Sequence, residues 1–304
     1  MQNKVLIFGF GSIGSKHAKI LVQNKYSIFI YSRNTKHPYN HISSLKELKV
    51  LNPDYIVISN ATNRHATTIK LIEDIFLNVK CFIEKPIFQT SLKTFPSIKN
   101  NYYSVGYLLR FHPFYEILKN ILKKTDLKEI YHIEFKSSSY LPFWRKNIPY
   151  EFSSSAKKIS GGVLHDFSHE LDFICSLFGF FKINHVRYSK FSKLKIKSKD
   201  YLNINGSLRH ANVDISLNYY SKIPFRELYV YSTKKTFKFD FTNSIITTSN
   251  LNNKITQKLF KFKTDDLYLK QHFDIIKKKS SKISSYDEAL TLLKFMQKIE
   301  NYEK

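Results

Sequence analysis

The stretch that decides the fold is KVLIFGFGSIGSKHAKIL, residues 4–21, in which three glycines follow an apolar run. Gly9, Gly11 and Gly14 fit the pattern G-x-G-x-x-G, which binds dinucleotides where it joins a strand to a helix. The apolar run predicts a buried parallel strand, and the residues after the glycines can continue as a helix. Gly9 would make the tight turn, Gly11 would let pyrophosphate approach, and Gly14 would let the helix pack on the strand. The pattern predicts a dinucleotide site, with a glycine turn that binds no ligand as the alternative.

The end of the second predicted strand, IYSRN, bears on the choice between NAD and NADP. An NAD-selective site places Asp or Glu about 20 residues beyond the glycine turn, where it holds the ribose 2′-hydroxyl. This chain has Ser32 and Arg33 there, and no acidic residue lies between Ser27 and Leu45. A hydroxyl and a guanidinium suit a 2′-phosphate. We predict NADP as the cofactor, preferred over NAD by at least about tenfold. If Arg33 instead stacks on the adenine, both cofactors bind.

Length and composition limit the classes of protein. The chain has 304 residues, of which 42% are hydrophobic, which is enough for two domains with cores. Its net charge of +25 could indicate nucleic-acid binding, but the lysines are dispersed rather than clustered, which argues against it. No apolar run approaches the roughly 20 residues of a membrane span, and no cleavable signal is visible before the first strand. Cys81 and Cys175 lie among apolar neighbours. We therefore expect reduced thiols and a cytoplasmic protein with no nucleic-acid or membrane partner.

The order of predicted strands and helices indicates two domains. Up to about residue 124, short apolar strands alternate with helices, as in the parallel βαβ units of a Rossmann domain. From about Lys128, runs such as EIYHIEF and TFKFDF alternate apolar and polar residues, as antiparallel strands with one solvated face do. The predicted fold is α/β, with a Rossmann domain over residues 1–124 and an α+β domain with a mostly antiparallel open sheet over residues 125–304. Long helices are predicted over residues 162–178 and from residue 286 to about 301.

Five segments occur in the order seen in one enzyme family: GFGSIGSKHAKIL, PDYIVISNATNRH, FIEKP, VGYLLRFHP and GGVLHDFSHELDF. The chain resembles the glucose-fructose oxidoreductase/inositol dehydrogenase (Gfo/Idh/MocA) family from residue 4 to the last helix. The resemblance implies hydride transfer between NAD or NADP and a sugar or cyclitol carbon, in a homodimer or homotetramer formed through the C-terminal sheet. SYLPFWR and GYLLRFHP further resemble members encoded beside sialic-acid-like and other surface-sugar pathways, which implies a sugar or nucleotide-sugar substrate. A protein that binds the cofactor without turnover, as a sensor or partner subunit, is the alternative.

The resemblance gives the central role to the lysine of FIEKP, Lys85. In the family this lysine lies near the nicotinamide and the reacting hydroxyl, where an ammonium can hydrogen-bond the oxygen and stabilise a developing alkoxide. Its predicted place, between Glu84 and Pro86 at the carboxyl end of a strand, is where open α/β sheets bind their ligands. The other cofactor-binding residues that the resemblance implies are Ser12, Ile13, Asn60, Ala61, Thr62, His65 and Glu84.

The second half of the site is expected on the helix that opens GGVLHDFSHELDF. At about 100° per residue, His165, His169 and Asp172 fall within about 60° of one another, and the apolar residues fall on the opposite side. The resemblance makes His169 the proton relay or the ligand of a substrate hydroxyl. Inositol dehydrogenase-like members of the family carry an aspartate four residues before this histidine. This chain has His165 at that position, and Asp166 lies three residues before the histidine. Either could complete the site; Asp166 is grouped with the catalytic residues, and His165 and Asp172 with the substrate contacts. A bound metal is a weaker alternative, and none is predicted.

Three further residues are candidates for contact with the substrate. Arg110 lies in VGYLLRFHP, two residues before His112, and packing and substrate roles are equally consistent with both. Trp144 and Arg145 lie in a loop that enters the second domain. They are candidates to meet the substrate by stacking and by charge, with a place at the rim as the alternative.

Overall fold

The computed structural model describes residues 3–145, 148–159, 161–277 and 280–302. Its contacts divide the chain into two compact units, Met1–Phe111 with Lys263–Leu293 and His112–Phe262 with Lys294–Lys304. This division differs from the predicted boundary after residue 124 in two ways. The helix that follows His112 belongs to the second unit, and a segment near the C-terminus returns to the first.

Apolar packing explains both differences. Phe114, in the helix after His112, packs edge-on against Phe239 and Phe241 of the second unit, with ring centroids 5.6 and 5.0 Å apart. In the returning segment, Ile275 belongs to the same buried cluster as Val5 in the first strand. Contacts between residues so far apart in sequence leave no local pattern, so composition and periodicity place the boundary wrongly.

The regular elements of the described residues are as follows. The strands are β1 (Lys4–Phe8), β2 (Ser27–Tyr31), β3 (Asn40–Ile42), β4 (Tyr55–Ile58), β5 (Lys80–Ile83), β6 (Tyr102–Val105), β7 (Ile130–Ser138), β8 (Lys182–Ser189), β9 (Tyr201–Leu208), β10 (Ala211–Asn218), β11 (Phe225–Ser232), β12 (Lys235–Asp240), β13 (Ile245–Asn250), β14 (Ile255–Leu259) and β15 (Ser284–Ser285). The α-helices are α1 (Ser12–Gln23), α2 (Leu45–Val50), α3 (His65–Ile75), α4 (Pro113–Lys124), α5 (Val163–Asp166), α6 (Ser168–Phe178), α7 (Thr264–Lys277) and α8 (Tyr286–Glu300). None of the helices in the described ranges combines the length and apolar character that a membrane span requires.

The first unit is built on a sheet in the order β15-β6-β5-β4-β1-β2-β3. All of its strand pairs are parallel except β15 with β6. The central strands read as continuous apolar runs because both faces of a parallel sheet are covered, and all four residues of β4 are buried. The parallel sheet predicted from the first half of the chain is confirmed.

The second unit contains a sheet in the order β14-β13-β12-β11-β7-β10-β9-β8. Its pairs are antiparallel except β7 with β10, as the mostly antiparallel prediction expects. Ile133 and Phe135 of β7 face the core, whereas Glu134 and Lys136 between them stay partly exposed. Phe173 of α6 packs edge-on against Phe135 at 6.1 Å, so the helix covers the apolar face of the sheet.

The helix predicted over residues 162–178 is interrupted. It consists of α5 and α6, separated by Phe167, whose backbone has φ −95° and ψ 26°. The Glu170 N–H bonds to the Phe167 carbonyl at 3.2 Å, which is the three-residue spacing of a tightened turn rather than the four-residue spacing of an α-helix. A constant rotation of about 100° per residue holds only along an uninterrupted helix. The predicted common face of His165, His169 and Asp172 therefore does not carry across this break.

Candidate functional site

The three glycines of the opening motif have the geometry that a dinucleotide turn needs. Gly9 has φ +93°, and a Cβ built there would lie 2.5 Å from Asn60 Cα. A Cβ on Gly14 would lie 2.3 Å from the Gly9 carbonyl oxygen, so only glycine lets α1 pack this closely. A Cβ on Gly11 would meet no described atom within 4 Å, which leaves room where pyrophosphate is expected. Each glycine thus fits the structural role predicted for it.

A cleft of about 1330 Å³ opens beside this turn, entirely within the first unit. Pyrophosphate at its floor would meet the N-terminus of α1, where the N-cap is Gly11 and no described side chain caps the helix. Of the predicted cofactor-binding residues, those that line the cleft are Gly9, Gly11, Ser32, Arg33, Asn60 and Ala61. Those outside its lining are Ser12, Ile13, Gly14, Thr62, His65, Glu84 and Lys85.

The charged groups that line the cleft are basic. Arg33 and Arg64 both line it and both are exposed, and no carboxylate is among the described residues of its lining. Two guanidinium groups in one cleft favour a ligand that carries phosphate. Arg64 is not among the residues predicted from the sequence, although its position in the turn that follows β4 could have suggested it.

His65 does not line the cleft but contacts the backbone of Asn60, which does. It is 1% exposed, with Nδ1 2.9 Å from the Ile87 carbonyl oxygen and Nε2 3.1 Å from the Asn60 carbonyl oxygen. Burial lowers the pKa of this imidazole. The Asn60 side chain is fixed as well, because its amide donates to Thr68 Oγ1 at 2.8 Å. The prediction that His65 binds the cofactor directly is corrected by this geometry: it holds the Asn60 turn, which lines the cleft.

Lys85 lies where its motif predicts, directly beyond the carboxyl end of β5. The Glu84 N–H extends the ladder by donating to the Ile58 carbonyl at 2.9 Å, so the motif starts from a fixed strand. The Lys85 N–H donates to Glu84 Oε2 at 3.1 Å. Both side chains are partly exposed. The carboxylate of the motif thus holds the backbone of the lysine that follows it.

A buried chain of hydrogen bonds leads from Glu84 into the core. His17 Nε2 lies 2.8 Å from Glu84 Oε1, His17 Nδ1 lies 2.8 Å from His272 Nε2, and His272 Nδ1 lies 2.9 Å from the Tyr55 hydroxyl. Burial and the neighbouring His17 hold the pKa of His272 well below its usual range, and burial raises the pKa of Tyr55.

This chain of hydrogen bonds has one consistent direction of donation when both imidazoles are neutral. A carboxylate at Glu84 only accepts, so His17 donates from Nε2 and accepts at Nδ1 from His272, which in turn accepts from Tyr55. This arrangement fixes the orientation of the carboxylate next to Lys85. Sequence reasoning gave no role to His17, although it lies in the opening motif, and none to His272 or Tyr55.

In the second unit, the four polar residues predicted for the site on this helix separate into two pairs by their exposure. His165 and Asp172 are each 2% exposed, whereas Asp166 and His169 are half-buried. His165 Nδ1 lies 3.0 Å from the Gly161 carbonyl oxygen, beneath the start of α5. The prediction that His165 and Asp172 present their side chains on an open face is therefore wrong, because both side chains are buried. Of the two candidates to support His169, Asp166 is half-buried like His169 and His165 is buried, and which of them acts stays a prediction.

Aromatic side chains surround Asp166. The Tyr219 hydroxyl donates to Asp166 Oδ2 at 2.5 Å, and burial raises the pKa of Tyr219 well above its usual range, so it stays a donor. The Trp144 ring packs edge-on against Tyr219 and Phe167, at 5.4 and 5.9 Å. Trp144 is 37% exposed, and its Nε1 donates to Ser139 Oγ at 2.7 Å. Trp144 thus packs against two aromatic rings, one of which belongs to the residue that donates to Asp166, and its contact with the substrate stays a prediction.

The remaining substrate candidates differ in how accessible they are. Arg145 is exposed. Arg110 is 5% exposed, and its Nη1 donates to Glu288 Oε2 at 3.0 Å, which favours the packing role over contact with substrate. His112 is also buried: its Nδ1 accepts from the Phe114 N–H at 3.2 Å and caps α4. Burial and the nearby Arg226 lower the pKa of His112 to about 3, so it is neutral and structural.

No group of three or more His, Cys, Asp or Glu side chains within the described ranges could hold a metal ion. Cys81 and Cys175 are both buried.

No protein-family model matches the sequence, and no curated protein sequence matches it either. Solved structures do match. UDP-N-acetylglucosamine 3-dehydrogenase GnnA from Acidithiobacillus ferrooxidans superimposes with a TM-score of 0.75 at 14% identity, covering 98% of this chain and 97% of that one. The chain has the fold of these oxidoreductases.

Two further solved structures agree. An oxidoreductase from Agrobacterium radiobacter in complex with NAD+, L-tartaric acid and magnesium gives a TM-score of 0.76 at 14% identity, over 100% of this chain and 96% of that one. Levoglucosan dehydrogenase in complex with NADH gives a TM-score of 0.77 at 12% identity, over 99% of this chain and 96% of that one. The two-part fold that the Gfo/Idh/MocA resemblance implies is confirmed.

Proposed function

We propose that the protein is an NAD(P)-dependent oxidoreductase that transfers a hydride between the nicotinamide and a hydroxyl-bearing carbon of a sugar or nucleotide sugar. The observation that carries this proposal is the glycine turn, with room at Gly11, beside a basic cleft in the unit that also holds Lys85. Two of the solved structures with this fold support the substrate class, since one is a UDP-N-acetylglucosamine 3-dehydrogenase and another a levoglucosan dehydrogenase.

The proposed roles of the residues follow from their chemistry. When bound, the nicotinamide supplies the acceptor or donor of the hydride. The Lys85 ammonium donates a hydrogen bond to the reacting oxygen and stabilises its negative charge. In the direction of oxidation, the imidazole of His169 accepts the hydroxyl proton, and in reduction it returns that proton. Asp166, held by Tyr219, is the positioning partner of His169.

We also propose a place in the biosynthesis of surface glycans or nonulosonic acids, in the cytoplasm. The support is the sequence around Trp144 and Arg110, SYLPFWR and GYLLRFHP, which resembles members from such pathways. The expected assembly into dimers or tetramers through the C-terminal sheet stays a prediction. Exposed Ile255 and Leu259 on its last strand, and exposed Leu251 in the turn before that strand, support it. Sedimentation velocity should give a dimer or tetramer mass, and a monomer at micromolar concentration would contradict it.

The proposed function is tested in two steps on the purified protein. Fluorescence titration should show binding of NADPH, and a screen of NADP reduction against nucleotide sugars and free amino sugars should then reveal turnover. A protein that binds no nicotinamide nucleotide is incompatible with the proposal. Binding without turnover of any sugar would favour the non-catalytic sensor instead.

Cofactor preference tests the role of Arg33. NADP should bind at least about tenfold more tightly than NAD, equivalent to about 1.4 kcal/mol, because a guanidinium pairs well with the 2′-phosphate. Arg33→Ala should abolish most of that preference, as measured by fluorescence titration with both cofactors. Lys36→Ala is the matched control, since Lys36 is exposed and lies outside the lining of the cleft. Equal affinity of the wild type for NAD and NADP would refute the interpretation of Arg33.

A further inference from the structure

A second pocket lies wholly within the second unit, where β7 and β11 run side by side. Its volume is about 170 Å³, and its lining includes Ser137, Ser139, Phe167, Arg226, Phe241 and Thr242. Arg226 of β11 is the register partner of Ser137 on β7. Pockets that hold a whole drug-sized ligand measure about 300–1,000 Å³. This Arg226 pocket therefore has room for one functional group of a larger ligand.

Arg226 is fixed by a hydrogen bond to Glu170 and also lines the pocket. Its Nε donates at 2.8 Å to Glu170 Oε1, on a residue with no exposed surface, and its own side chain is 33% exposed. Its backbone N–H donates to Thr242 Oγ1 at 3.0 Å. The two terminal amino groups of the guanidinium make no hydrogen bond with any other described residue. A guanidinium fixed through Nε can offer those groups as a bidentate pair to an oxyanion.

Two hydroxyl groups add donors to the same pocket. Ser137 is 1% exposed, and its hydroxyl bonds to no residue within the described ranges. Ser139 Oγ accepts from Trp144 Nε1, which leaves its hydrogen available to donate. No carboxylate is among the described residues that line the pocket. Donors in the pocket lining that have no protein acceptor favour an occupant rich in acceptors.

The pocket adjoins the side chains around Asp166. Phe167 lines it, follows Asp166 directly in the chain, and contacts Trp144 and Tyr219 through its ring. We propose that the Arg226 pocket binds an oxyanion of the substrate, a carboxylate or a phosphate group, so that the substrate is an acidic or phosphorylated sugar. This proposal rests on the proposed function, because it assigns the pocket to the substrate of that reaction.

The test measures binding of two matched ligand pairs to the NADP+-saturated protein by isothermal titration calorimetry. Glucuronate against glucose tests a sugar carboxylate, and glucose 1-phosphate against glucose tests a phosphate. The anionic member of at least one pair should bind more tightly. Arg226→Gln should weaken that member by about tenfold or more, as loss of a charge-assisted hydrogen bond does, and leave its neutral counterpart unchanged. The pair that responds identifies the oxyanion.

Two variants keep the result interpretable if Arg226→Gln disturbs Glu170. Ser137→Ala removes a donor without leaving a charge unpaired and should weaken the same anionic ligand. Arg187→Gln is the matched control, because Arg187 is an exposed arginine of β8 outside the pocket, and it should change nothing. If the discrimination within both pairs survives Arg226→Gln and Ser137→Ala, the oxyanion site is refuted, while turnover of neutral sugars would leave the proposed function standing. Binding that depends on Arg226, without turnover of any sugar, would refute the proposed function and retain the oxyanion site.

Discussion

Lys85→Ala is expected to bind NADPH nearly as tightly as the wild type and to lose about 10²–10⁴ in turnover, the usual contribution of a positioned acid–base group. Lys85 lies outside the lining of the cofactor cleft, so its removal should spare binding. The loss arises at the reacting oxygen, where the ammonium would stabilise a developing alkoxide. Fluorescence titration measures the binding, and steady-state kinetics on the substrate found by screening measures the turnover.

Two controls separate this chemistry from a loss of folding. Lys93→Ala removes an exposed lysine of the same unit and should leave turnover unchanged. Small primary amines added to Lys85→Ala should restore part of the activity, because they return an ammonium to the space left by the side chain. Near-normal turnover in Lys85→Ala would remove Lys85 from the mechanism.

The features of this site that can be predicted from the sequence are those formed by residues close together in the sequence. The glycine turn, the apolar strands before and after it, and the place of Lys85 at a strand end all depend on local sequence. The support beneath Lys85 does not: Glu84 meets His17, which meets His272 at a separation of 255 residues. No periodicity connects residues so far apart, so their contact emerges only in the folded structure.

Helix α7 shows why the returning segment escaped prediction. Its buried positions are Leu267, Gln271, His272 and Ile275, so two of the four residues on its inner face are polar. An amphipathic pattern is recognised by apolar residues at helical spacing, and these polar residues hide it. One of the two, His272, belongs to the buried chain of hydrogen bonds that leads to Glu84. The residues that support the site thus obscured the helix that carries them.

Phe167 separates the two helices that carry the second half of the site. Asp166 and His169 are half-buried while His165 and Asp172 are buried, and Asp166 accepts a hydrogen bond from the Tyr219 hydroxyl. A helical wheel cannot anticipate this, because it assumes one axis for all residues. His169 is therefore predicted to act with Asp166, and His165 to stabilise the start of α5 through the Gly161 carbonyl.

His169→Asn is expected to keep the fold and to lose about 10²–10⁴ in turnover, because an amide cannot accept and return a proton as an imidazole does. The pH profile of turnover should also change in the variant, because the imidazole no longer takes part in proton transfer. Asp166→Asn should weaken turnover with an altered pH profile, whereas His165→Asn should mainly lower the melting temperature. His185→Asn, at an exposed histidine of β8, is the matched control. A lowered melting temperature with full activity per folded molecule would make His169 a structural residue, since catalysis would then proceed without its imidazole.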